Sequence, residues 1–190
     1  MRSLHRRWLL TGGIGSGKSE VRRLLEKAGI RTIDADSVGH AVLRDEAFQA
    51  VSERWPDVVV DGAIDRSRLA GIVFADPREL AALEAMTHPL IFGRIESELE
   101  ASAGVAVVEM PLIDAAPGWP RMMVDATDET RIRRAVARGM SRDEVLRRIA
   151  SQPSRAEWLA SGDLIIPNHG SLEELGAAVA TLSAYLMVGG

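Results

Sequence analysis

The chain has 190 residues, 46% of them hydrophobic, and a net charge of −4. That length suits one domain with a sizeable core on the usual ~100–200-residue scale, and the acidic balance argues against a polyanion-binding surface and so against a nucleic-acid partner. With no cysteine, disulfides and thiolate metal sites are excluded; with four scattered histidines and no apolar run near the ~18 residues of a membrane span, no zinc pair and no membrane association are expected, and a soluble, cytoplasmic protein is the default.

In chain order, the apolar run Trp8–Leu10 predicts a first strand. Glycine-rich residues 12–19 follow, then an amphipathic stretch in which Val21, Leu24, Leu25 and Ala28 share one helix face and Gly29 supplies a stop. Ile30–Ile33 predicts a second strand, ending in Asp34-Ala-Asp36. From Asp36 to about Ala103 there is no convincing strand, only helical segments broken near Trp55-Pro56, Asp61-Gly62 and Asp76-Pro77. Val105–Val108, a weaker Met122–Val124 and Leu164–Ile166 predict three more strands, with a helical excursion from Asp128 to Ala160 between the last two. This alternation argues for an α/β fold with a parallel sheet covered on both faces.

The glycine-rich segment reads Gly12-Gly-Ile-Gly-Ser-Gly-Lys-Ser19, the G-x-x-x-x-G-K-[ST] pattern of a phosphate-binding loop. Glycines let the backbone curl around a phosphate chain with N–H groups pointing inward. Lys18 then offers a point charge to the terminal phosphates, and the Ser19 hydroxyl can ligate Mg²⁺. Of 23 basic residues only Lys18 and Lys27 are lysine, so one of the two stands where an ammonium rather than a guanidinium is wanted.

A second cluster follows the second strand. Ligands of open α/β sheets bind beyond the carboxyl ends of the strands, and period-2 geometry would put Asp34 and Asp36 on one side. A carboxylate there can orient or deprotonate an acceptor hydroxyl. The plainer alternative is that Asp36 merely caps the next helix. Glu109 ends the third strand, either as an acid near the Mg²⁺ shell or as a simple turn residue. Arg131, Arg134 and Arg138 line one helix face, either as a solvated stripe or as guanidinium groups for a transferring phosphoryl.

Together these residues resemble the dephospho-coenzyme A kinase family, over nearly the whole chain. The resemblance runs through Leu10–Ser19, Ile33-Asp-Ala-Asp36, Asp61-Gly62, Asp65-Arg66, Phe74, Pro77 and His88-Pro-Leu-Ile91. It continues through residues 107–113, Val124-Asp-Ala126, Arg134, Arg138-Gly-Met-Ser141, Arg148-Ile149, Gln152, Asp163 and Asn168-x-Gly-Ser171. It implies ATP-dependent phosphorylation of the ribose 3′-hydroxyl of dephospho-CoA, with Mg²⁺, and a monomer or weak homo-oligomer. The implied fold is a three-layer P-loop kinase like the nucleoside monophosphate kinases, with a five-stranded parallel sheet. One domain would carry a helical CoA lobe at about 37–103 and a lid at about 128–160. Position by position, Asp36 would accept the hydroxyl proton, while Gly13, Gly15, Ser16, Gly17, Lys18, Ser19 and Glu20 hold the ATP phosphates. Ser19 and Glu109 would serve the metal, His88 would lie in the lobe holding dephospho-CoA, Arg138 would reach over the phosphates, and Asn168 would sit near the adenine. Read without the family, His88-Pro89 is only a helix-entry turn and Asn168 only a turn residue.

The pattern departs at three places. Glu20 replaces the usual Thr, and its side chain is expected to point out of the first helical turn, leaving only its N–H for phosphate. The Pro-Leu-Leu-x-Glu segment reads Pro111-Leu-Ile-Asp-Ala115, shifting or losing its acid. Trp158 stands where a basic residue is common, and Gly162 where Ala is usual. Two other readings stay open: another small-metabolite kinase such as a shikimate kinase, and a nucleotide-binding protein that has lost catalysis.

Overall fold

The computed structural model describes residues 6–102, 104–110 and 118–188. The 111–115 departure therefore lies outside the described residues. In chain order the elements begin with β1 (Arg7–Thr11), α1 (Lys18–Lys27), β2 (Arg31–Asp34), α2 (Ala35–Arg44) and α3 (Phe48–Arg54). After a 3-10 turn at Pro56–Val58 come β3 (Val59–Val60), β4 (Ala63–Ile64), α4 (Arg66–Val73) and α5 (Pro77–Glu100). The chain continues with β5 (Ala106–Glu109), β6 (Arg121–Asp125), α6 (Asp128–Ala137) and α7 (Arg142–Ala150). It closes with α8 (Arg155–Ser161), β7 (Leu164–Pro167) and α9 (Leu172–Val188). Two compact units result, Met1–Ile33 with Ser102–Gly190, and Asp34–Ala101.

The first unit holds the five-stranded parallel sheet, ordered β2-β5-β1-β6-β7. All five expected strands are present, the weak Met122–Val124 signal included. The inner strands β5, β1 and β6 read as unbroken apolar runs because both sheet faces are covered there, whereas the edge strand β2 carries Arg31 and Thr32. Trp8, Leu10, Val107, Met122, Val124 and Ile166 face α1 and α9, meeting Val21, Leu25, Leu175, Val179 and Leu186. Each such fully buried aliphatic side chain contributes about 1.5–3 kcal/mol. Met123, of opposite parity on β6, faces the end of α8: a Cβ on Gly162 would come within 2.8 Å of Met123 Cβ and Ile165 Cδ1, which accounts for the missing methyl there. Helix α1 stops as expected in a Schellman closure, with Gly29 N–H bonded to Glu26 O at 2.9 Å and Ile30 N–H to Leu25 O at 3.0 Å. Because β1 is central, with β5 on one side and β6 on the other, the loop after it emerges at the topological switch point.

The second unit is helical, built on α5 with α2, α3 and α4 packed against it or each other. Two expectations fail here. The segment does contain strands: β3 and β4 form an antiparallel hairpin, pairing Val60 with Ala63 and Val59 with Ile64. Its turn is Asp61-Gly62, with φ of 50° and 76°, the Asp-Gly geometry that matches strand twist and was read only as a helix break. Second, His88-Pro89 does not open a helix but lies midway along α5, whose true start is Asp76 capping Arg78 N–H at 2.9 Å with Pro77 behind it. Pro89 removes the donor for the Ala85 carbonyl. Both residues are exposed, so water can satisfy that carbonyl and the helix continues. No helix among the described residues is long and apolar enough to cross a membrane.

Candidate active site

The loop between β1 and α1 is shaped by what packs behind it. Gly15 has φ 74°, and a Cβ there would stand 2.9 Å from the backbone C and Cα of Arg131. Neither the left-handed backbone nor that approach suits a larger residue. Gly15→Ala is expected to lower kcat/KM for ATP about 10-fold or more. Steady-state kinetics with ATP varied checks this, and an unchanged value would contradict the packing argument. Gly17 is the N-cap of α1 and offers no side chain to the first-turn N–H groups; a helix N-terminus of this kind presents its N–H groups to an anion.

Three predicted residues converge at the start of α1. Lys18 Nζ donates to Gly12 O at 2.7 Å, holding the ammonium against the first turn of the loop. Ser19 Oγ donates to Glu109 Oε1 at 2.9 Å, and Arg22 Nε donates to Glu109 Oε2 at 2.9 Å. Glu109 is only 8% exposed, so Arg22 supplies the countercharge that such burial demands. A hydroxyl beside a carboxylate is the hard-oxygen donor set that suits Mg²⁺, which usually takes one or two protein ligands and completes its shell with phosphate and water. Among the described residues no group of three or more His, Cys, Asp or Glu side chains could hold a metal by itself. The unusual Glu20 carboxylate accepts from Arg23 Nη1 at 2.6 Å along the helix, as expected of a side chain turned away from the loop.

In the arginine stripe on α6, Arg131 and Arg134 are bonded to the loop, and Arg138 is exposed. Arg131 is 3% exposed and donates from Nε to Ile14 O at 2.9 Å. Arg134 donates to Ser16 O at 3.3 Å and to Asn168 O and Oδ1 at 3.1 and 3.0 Å. Burial, helped by the charges of Arg133 and Arg138, holds Arg134 below the usual guanidinium range. Asn168 is itself buried and donates its amide to Ser16 O at 2.7 Å, so its side chain braces the loop as well as lying in the turn after β7. Arg138, at the C-cap of α6, is exposed and has no partner among the described residues. It is thus an uncommitted cation.

Sequence reading missed a further cluster at the carboxyl end of β6. Asp125 accepts two bonds from Arg155, at 2.8 and 2.7 Å, and lies 3.2 Å from His169 Nε2. Its place as an acid ending a central strand was the available signal. The Arg155 hydrogen bonds, aided by His169, hold the Asp125 carboxyl below its usual value of 3.8. A lowered folded-state pKa means this stabilisation is present above that value and is lost as pH falls through the folded one. Asp125→Asn is expected to lower Tm at pH 7 by about 3–6 °C. The Tm gap between the two proteins should hold from pH 7 down to about pH 4 and narrow only as pH falls further, toward the lowered folded-state value; a gap that stays constant well below that would contradict this.

In the second unit, Asp34 and Asp36 do not project as strand neighbours. Asp34 is the N-cap of α2, its Oδ1 accepting from Asp36 N–H and Ser37 N–H at 3.1 and 3.2 Å. Asp36 sits in the first helical turn, past the end of β2, so the period-2 argument does not reach it. The capping alternative belongs to Asp34 instead. The Asp36 side chain is exposed and accepts no hydrogen bond among the described residues. Helix α2 packs on α5, which carries half-buried His88 with its ring edge-on to Phe92 at 6.1 Å.

The family model for dephospho-CoA kinase matches residues 9–174. The chain belongs to the dephospho-CoA kinase family. A dephospho-CoA kinase of Streptomyces avermitilis is 41% identical, the match covering 94% of this chain and 92% of that protein. Another from Deinococcus radiodurans is 40% identical, covering 90% and 87%. A crystal structure of a Thermus thermophilus protein superposes with a TM-score of 0.84 at 34% identity, covering 95% and 97%. A shikimate kinase from Acinetobacter baumannii aligns with a TM-score of 0.55 at 14% identity, a likeness of fold alone.

Proposed function

We propose that this chain transfers the γ-phosphoryl group of ATP to the ribose 3′-hydroxyl of dephospho-CoA, giving CoA and ADP. The observation that carries the reading is the family match over residues 9–174, which includes the phosphate-binding loop and the Asp34-Ala-Asp36 segment. The 3′-oxygen attacks the γ-phosphorus as the bond to the β,γ-bridging oxygen breaks. The electron pair leaves with ADP, and the hydroxyl proton passes to the Asp36 carboxylate. Phosphoryl transfer asks little covalent chemistry of the protein, so positioning and charge stabilisation carry the rate. The loop residues Gly13 and Gly15 to Glu20, with the Lys18 ammonium, bind the phosphates, and Arg138 supplies a guanidinium from the end of α6. Mg²⁺, held by Ser19 with Glu109 behind it, would neutralise phosphate charge. His88 contributes to the lobe that receives dephospho-CoA, and Asn168 keeps the loop seated beside the adenine. Both substrates are cytoplasmic metabolites in this reading, which agrees with a cytoplasmic enzyme.

The test is an acceptor screen with ADP release as readout, using dephospho-CoA, shikimate and no acceptor, each with MgATP. Release that depends on dephospho-CoA is expected. Release with shikimate would favour the other metabolite kinases. Tight ATP binding without transfer to any acceptor would favour a protein that has lost catalysis; of the two departures behind that idea, Glu20 is paired with Arg23 and Ala115 lies outside the described residues.

A further inference from the structure

The crest of the phosphate-binding loop is the peptide of Ile14, and both of its backbone groups are taken by side chains from far along the chain. Its carbonyl accepts from Arg131 Nε at 2.9 Å. Its N–H donates to Gln152 Oε1 at 2.9 Å, across 138 positions of sequence. The two side chains are also joined, because Arg131 Nη2 donates to the same Gln152 oxygen at 2.9 Å. Arg131 Nη1 is held in turn by Asp128 at 2.8 Å. Gln152 stands between α7 and α8, with its own N–H bonded to Ile149 O at 3.2 Å. One amide oxygen therefore ties three things together: the loop crest, the α6 arginine and the connection between α7 and α8.

The geometry is informative about what Gln152 must be. Both of its side-chain bonds use Oε1 as acceptor, and Nε2 donates to nothing among the described residues. The site needs an acceptor of this length, not an amide as such. Losing that acceptor would orphan two donors at once, the Ile14 N–H and one arm of an arginine that is 3% exposed. Buried donors without partners are costly, so the crest would move to find new ones. Crest movement changes the shape of the turn that must curl around the phosphates.

We propose that Gln152 is a positioning residue for ATP: through its acceptor oxygen it couples the α7–α8 connection to the phosphate-binding loop, with Arg131 as its strut. Neither residue touches the reacting atoms in this account. The effect is selective, falling on the nucleotide and leaving the dephospho-CoA side alone.

The test compares three single variants of the full chain, Gln152→Met, which keeps length but removes the acceptor, Gln152→Glu, which keeps it, and Arg131→Lys, with the double variant of the first and third. Isothermal calorimetry of MgATP binding without acceptor is read beside steady-state KM values for ATP and dephospho-CoA, at a temperature well below each Tm. The calorimetric arm rests on the loop alone, so it separates failure of this coupling from failure of the kinase reading. Gln152→Met is expected to weaken ATP binding about 10-fold, the effect of losing a hydrogen-bond acceptor of this kind. Its KM for dephospho-CoA should stay within about twofold, whereas Gln152→Glu should return ATP affinity to within about threefold of wild type. Combining Gln152→Met with Arg131→Lys should cost little more than the worse single change, as for residues sharing one network. Unchanged ATP affinity in Gln152→Met would overturn the proposal. So would equal impairment in Gln152→Glu, or equal weakening of both substrates. If Gln152→Met does not fold, Gln152→Glu decides alone, since a loss of affinity there contradicts the acceptor role.

Discussion

Asp36→Asn is expected to lower kcat by about 10²–10⁴-fold, the range for removing a positioned general base, while MgATP binds as tightly as before. The substitution keeps size and shape and removes only basicity. Helix α2 should be undisturbed, because its cap is Asp34, which accepts from the N–H groups of Asp36 and Ser37. The Asp36 carboxylate has no structural duty among the described residues, so its loss should appear in turnover and not in stability. Measurement of kcat, of MgATP affinity by calorimetry and of Tm on the same preparation checks all three. Wild-type turnover in Asp36→Asn would remove the acceptor role. A large fall in Tm would mean that the carboxylate is structural after all.

The second large effect is expected at Lys18. Lys18→Ala should lose about 10²–10³-fold or more in kcat, the scale found for single donors aimed at transition-state charge. In the structure the ammonium rests on Gly12 O at 2.7 Å, at the mouth of the loop, on a stem flexible enough to follow a phosphate. Lys18→Arg should not restore activity, because a planar fork cannot replace a compact point charge in a turn this tight. In a chain with 23 basic residues and two lysines, that preference is already visible. Turnover of Lys18→Arg close to wild type would show that charge alone suffices.

Much of this arrangement was legible in the residues. The loop motif declares itself because phosphate binding constrains glycines, a lysine and a hydroxyl at fixed spacing. The strands declare themselves because a doubly covered parallel sheet needs continuous apolar runs, which is why even residues 122–124 were found. What escaped were features whose signal is local but ambiguous, or not local at all. Asp61-Gly62 serves equally as a helix break or a tight hairpin turn, and only the pairing of Val59 with Ile64 decides between them. Pro89 looked like a boundary, yet a long helix tolerates it where the orphaned carbonyl faces water. The fates of Arg131, Gln152 and Asp125 depend on partners dozens to more than a hundred positions away, so no window of sequence contains them. An arginine at helical spacing is usually solvated; Arg131 is buried because the backbone of Ile14 requires a donor there.

The most direct test of the account is the chemistry of its product. Purified protein incubated with MgATP and dephospho-CoA should yield ADP and one new phosphate monoester, and ³¹P–¹H correlation should connect that phosphorus to the ribose H3′. A phosphate found on any other hydroxyl, or none transferred while ATP remains bound, would contradict it.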